Sequence, residues 1–175
     1  MSPVRARPTR ALAALLVVAL ALGVAGCGEP ETDVDIPARD DGRHVADLAG
    51  ILDAEQLDDQ LAAIEAGGLD VVALTYTTPQ ANCGEAFRAG LEFATAWEAD
   101  VAIVAVARDG DFSSTDDQRE RCVGVRPVDD FAVPGGLREE IAEGLVPPIA
   151  AENDWDEVFR VAADRLAEEL VEDGG

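Results

Sequence analysis

The stretch 69-LDVVALTYTTPQANCGEAFRAGLEFATAWEADVAIVAVA-107 decides the fold. Val71 to Thr77 is a short apolar, β-branched run and predicts a strand buried on both faces, ended by Thr78 and Pro79. Asn82 and Glu85 then stand three apart, the spacing in which two side chains cap a helix start reciprocally. Phe87, Leu91 and Ala94 fall on one face of that helix, which makes them its expected inner surface. Val101 to Ala107 repeats the apolar pattern as a second buried strand. A strand, a crossover helix and a strand form a parallel pair.

The flanks extend this unit. Upstream, Asp53 and Gln56 predict a helix start, with Leu57, Leu61 and Ile64 facing inward and Gly67 and Gly68 as the stop. Downstream, an acidic loop from Asp109 to Glu120 leads to a third strand around Cys122 to Val128. Gly135 and Gly136 then open a helix over Leu137 to Leu145, which Pro147 and Pro148 should break or kink. Asp154 with Glu157 caps a last helix whose Trp155, Val158, Phe159, Ala162 and Leu166 keep helical spacing. The expected class is α/β, a small mixed sheet of three to four strands covered by helices. Trp97 and Trp155 belong to its core.

Residues 1–26 have the order of a secretory signal peptide: Arg5, Arg7 and Arg10, an apolar run from Ala11 to Val24, then small residues. The run is short for a membrane-spanning helix. Leu22 to Cys27 resembles the lipobox of bacterial lipoproteins, which implies cleavage before Cys27, acylation of its sulfur and an anchored, extracytoplasmic protein. Residues 27–43, rich in Asp, Glu, Pro and Gly, are expected to form a flexible acidic tether, with the folded domain over 44–172. His44, the one histidine, stands beside that tether as an expected surface residue.

The chain carries 13 basic and 36 acidic side chains and a net charge of −23; every cation is an arginine. Such a field makes nucleic acid and anionic headgroups poor partners and favours cations or basic partners. With Cys27 acylated, Cys83 and Cys122 remain in a compartment where disulfides persist, so a bridge is expected; two buried thiols or a metal pair are the alternatives.

If the first two strands are parallel and the third is antiparallel, Asp47, Asp53, Cys83, Cys122 and the acidic loop all lie at one sheet edge, where open α/β sheets bind ligands. The loop places oxygen side chains at positions 1, 3, 5, 7, 9 and 12 of a twelve-residue calcium loop, with Ser114 in place of the turn glycine. Two readings follow. One is a solvated acidic hairpin. The other is a weak calcium site using Asp109, Asp111 and Glu120 with Asp47. The Asp109-Gly110-Asp111 triplet also matches part of the aspartyl phosphatase signature, but the chain has no lysine to complete it.

"HVADLAGILDAEQLDDQL", "LDVVALTYT", "ADVAIVAVARDG" and "LVPPIAAENDWDEVFRVAADRL" together resemble the TPM domain, the family of a thylakoid lumen protein, a photosystem II repair protein and a levamisole-receptor modulator. The chain departs from the family at Glu98, Ala99 and Asp100 and in "CVGVRPVDD" after the last strand. The resemblance implies a module that binds a protein partner or maintains a membrane complex, with calcium as a possible ligand. The alternative it implies is a metal-assisted acid phosphatase using clustered carboxylates.

Overall fold

The computed structural model describes residues 34–172. The signal peptide, the acylation site expected at Cys27 and the first part of the tether lie outside the described residues. Four strands, β1 (Val45–Asp47), β2 (Val71–Thr77), β3 (Val101–Ala107) and β4 (Arg121–Pro127), form one sheet in that order. β1, β2 and β3 are parallel, and β4 is antiparallel to β3. Helix α1 (Ala54–Ala66) joins β1 to β2, and α2 (Cys83–Ala96) joins β2 to β3. After β4 come α3 (Gly135–Glu139), a π-helical stretch (Glu140–Leu145), α4 (Val146–Ala151) and α5 (Trp155–Glu172).

Alternation along the strands sorts their side chains into two cores. Val71, Ala73, Val101, Ile103 and Ala105 face α1, α5 and the α3–α4 segment, and pack with Leu61, Ile141, Phe159 and Leu166. Val72, Leu74, Tyr76, Val104 and Val106 face the other way and pack with Phe93 and Trp97 on the α2 side. The protein is therefore a small α/β fold, a mixed sheet between two helical layers. Parallel strands in sequential order with α1 and α2 on opposite faces require one of the two crossovers to be left-handed, against the general preference.

Several local features differ from the sequence reading. β1 has no signal in the sequence, because three residues carry no period to detect. His44 is buried, 1% exposed, rather than on the surface. Its ring Nε2 lies 2.9 Å from Glu65, and its backbone N–H and that of Val45 both donate to Asp58 Oδ1, at 2.6 and 3.1 Å. One carboxylate on α1 thus fixes the start of β1.

Residues 34–43, expected to be tether, are docked on the domain. Trp97 Nε1 donates to Pro37 O at 2.8 Å. The Arg39 guanidinium lies over the Trp97 ring, donates to both oxygens of Asp70 at 2.7 and 3.0 Å, and reaches Trp97 O at 2.8 Å. Val34 and Ile36 pack against the α2-side core. A fork–carboxylate pair and two isolated apolar residues do this, and neither registers in average composition.

The inner face of α2 is Ala86, Ala89, Gly90, Phe93 and Ala94, not Phe87 and Leu91. Gly90 explains the rotation. A Cβ there would stand 2.8 Å from Arg126 Cβ and 3.2 Å from Val104 Cγ2, so the helix lies on the sheet through its smallest residues. Phe87 is left 42% exposed. At Pro147 and Pro148 the helix widens into the π stretch instead of breaking, and the prolines fall in the first turn of α4, where no N–H is required.

Arg165 on α5 donates to both oxygens of Glu140, at 2.9 and 3.2 Å, and to Glu169 at 3.0 Å. The hydrogen bond from Arg165 holds the Glu140 carboxyl below the usual glutamate range, against a smaller opposing effect of desolvation. A carboxyl that titrates lower in the folded state stabilises the fold above its unfolded pKa of about 4.3, and that contribution is lost as pH falls through the lower folded value. Glu140→Gln should therefore lower the melting temperature at pH 7, with the difference from the parent closing below about pH 4. A difference that persists undiminished at pH 2 would assign the effect to packing.

Candidate functional site

The carboxylates singled out from the sequence do share an edge of the sheet, but the fold uses them separately. Asp47, at the end of β1, accepts from Ile51 N at 3.1 Å and Leu52 N at 2.9 Å, and the Thr75 hydroxyl donates to it. It organises the turn from β1 into α1. Asp111 is buried, and its Oδ2 accepts from Glu120 N at 2.7 Å and lies 3.1 Å from Arg108. Glu120 lies 3.7 Å from the same guanidinium, and Asp109 is exposed. The loop is therefore not simply solvated. Phe112 is buried edge-on against Trp155, with centroids 4.9 Å apart, and Trp155 Nε1 donates to Phe112 O at 2.8 Å.

Among the described residues, the set of three potential ligands whose atoms lie within 4.8 Å of one another is His44, Glu65 and Asp70, not Asp47, Asp109, Asp111 and Glu120. Both oxygens of Asp70 already hold Arg39, and Glu65 holds the His44 ring. The cluster reads as an ion network that fastens residues 34–43 to α1 and β2. Cys83, the first residue of α2, is disulfide-bonded to Cys122 on β4, with Cα atoms 5.2 Å apart.

An apolar concavity lies along the lateral edge of the sheet. A groove of about 630 Å³ follows the outer side of β4. Phe87 and the disulfide form one wall, Ala142, Val146 and Trp155 the other, and Val123 and Val125 the floor. Arg108 N donates to Glu120 O at 2.9 Å and Val128 N to Asp100 O at 3.0 Å, which fixes the phase of the β3–β4 ladder. The even-numbered residues of β4 bond to β3. Arg121, Val123 and Val125 therefore direct their N–H and C=O groups away from the sheet, toward the groove.

Arg119 and Arg121 stand at the end of the groove where β4 begins. Ten arginines lie within the described residues, and eight of them have a carboxylate within 4.0 Å. Arg119 and Arg121 are the two that do not. Arg121 is held by neutral groups: Asn153 Oδ1 at 2.5 Å, Asp111 O at 3.3 Å and Ala150 O, with its guanidinium 5.1 Å from the Trp155 ring centre. Burial, and then the charge of Arg119, push the Arg121 guanidinium below the usual arginine value. Two cations without a carboxylate in contact stand out in a chain of net charge −23.

No family model matches the chain, and no curated protein matches it. The groove had no signature in the sequence. Its floor is an edge strand, its walls come from three distant segments, and helical spacing alone directs Phe87 to the core.

Proposed function

We propose that the protein is a binding module of TPM type, held on the extracytoplasmic face of a membrane by a lipid on Cys27, with the groove along β4 as its working surface. The ligand it suits is apolar in body with an anionic end. The observation that carries this reading is the pair of arginines without carboxylate partners beside apolar walls. A cation flanked by hydrophobic surface gains most from an anion that arrives with its own apolar part, because both are desolvated together. The leader and the resemblance to TPM domains favour a role in binding or assembly at a membrane. The phosphatase reading is weaker, since Asp111 is committed to Arg108 and to the Glu120 backbone.

The fluorescent anion 1-anilinonaphthalene-8-sulfonate tests the groove. The full chain should bind it with a rise in emission, Arg119→Gln should weaken binding about fivefold, and Ala142→Trp should abolish it by filling the space. Unchanged binding in Ala142→Trp would place the dye elsewhere and sink the reading. Anchoring has its own check. Cys27→Ser should move the protein from the membrane fraction to the soluble fraction or leave it uncleaved, whereas an intact mass showing no acyl chain on the parent protein would end the lipoprotein assignment.

A further inference from the structure

We propose that the groove receives the carboxyl-terminal segment of a partner polypeptide, added as a fifth strand antiparallel to β4, with its terminal carboxylate between Arg119 and Arg121. The inference rests on the groove being the binding surface and goes further by naming the ligand class. Its carrying observation is the juxtaposition of an unpaired strand edge with the two arginines. Arg121 and Val123 offer outward N–H and C=O groups along the groove floor, ahead of the buried Val125, and an open edge of this kind is a template for another strand.

The position of the arginines sets the direction. They stand at the start of β4, so a strand running antiparallel to β4 arrives there with its last residue. At the far end β4 closes with Pro127, which has no N–H to continue the ladder. The outward groups of Arg121 and Val123 span about 7 Å, enough for about three residues of partner. Successive side chains of the added strand would turn alternately toward Phe87 and toward Ala142 and Val146, which places apolar surface on both sides, with Glu139 and Glu143 also lining the groove. Arg121 keeps a donor for the carboxylate: its bonds to Asn153, Asp111 and Ala150 use the two terminal nitrogens, and Nε has no partner among the described residues.

Charge decides between occupants. A second copy of this chain would bring another net charge of −23, and a polyacidic segment would meet the same repulsion. A peptide terminus presents one negative charge, which two arginines can hold bidentately.

The experiment measures binding of a hexapeptide library with apolar residues at alternate positions to the full chain, once with free carboxyl termini and once amidated. Free termini should bind at least about tenfold more tightly than the amides, a difference of about 1.4 kcal/mol. Val123→Pro deletes one outward N–H without touching the bonds to β3, so it should lower peptide affinity by a much larger factor than it lowers affinity for 1-anilinonaphthalene-8-sulfonate. Equal binding of free and amidated peptides overturns the proposal, as does full peptide binding by Val123→Pro. If the dye binds the parent chain and no peptide does, strand addition fails and the groove reading stands. If neither binds, both fail. Should Val123→Pro lose the dye and its melting transition together, the free-against-amide ratio in the parent chain decides alone.

Discussion

Removing the Cys83–Cys122 bond, as a Cys83→Ala, Cys122→Ala double variant, should lower the free energy of unfolding by about 4 kcal/mol. The bond closes a loop of 39 residues in sequence separation, and the chain entropy that such a closure denies to the unfolded state sets this magnitude. The loop contains α2, β3 and the acidic segment. Without the bridge, the α2–β4 contact relies on close packing of Gly90 on Arg126 and Gly124 near Ala86. Urea unfolding would read the loss as a midpoint shift of about 2 M. It should also read a steeper slope, because the uncrosslinked chain exposes more surface. The same variant should bind the anionic dye less tightly, since both cysteines line the groove. A loss under about 1 kcal/mol would show that contacts between α2 and β4 hold the pair without the bridge.

What the sequence reveals and what it hides separate along a physical line. The strand–helix–strand unit at its centre is legible because β2 and β3 are seven-residue runs of apolar and β-branched residues, and both are buried throughout except at Thr77. The helix starts are legible because caps are local: Asp53 accepts from Gln56 N, Asn82 from Glu85 N and Asp154 from Glu157 N. Burial that depends on partners distant in sequence is not legible. His44 and Arg39 look exposed in a polar stretch, yet Asp58, Glu65 and Asp70 receive them. Phe87 looks like a core residue until the contact at Gly90 rotates its helix. The acidic edge shows both outcomes at once. Topology brings its residues to one side of the sheet, as their strand positions imply, but the sequence cannot show that Arg108, Thr75 and nearby backbone donors engage their carboxylates.

Asp47 gives this distinction its sharpest test, with an expected loss of about 3 kcal/mol in Asp47→Ala. Its two oxygens receive the backbone N–H groups of Ile51 and Leu52 and the hydroxyl of the fully buried Thr75. Truncation leaves all three without their acceptor, and charged acceptors make the stronger hydrogen bonds. Thr75 Oγ1 also accepts from Ala49 N at 3.2 Å, so the turn from β1 into α1 loses its organiser and the bond that supports it. Asp47→Asn keeps one oxygen acceptor and should lose less, about 1.5 kcal/mol. If Asp47 were instead a calcium ligand, the folded protein would gain stability from the ion, and both variants would approach the parent once the ion was removed. Thermal unfolding in millimolar calcium and in chelator separates the cases. A loss of the same size in both conditions establishes Asp47 as the organiser of the turn, whereas a loss confined to the calcium sample would return it to a metal site.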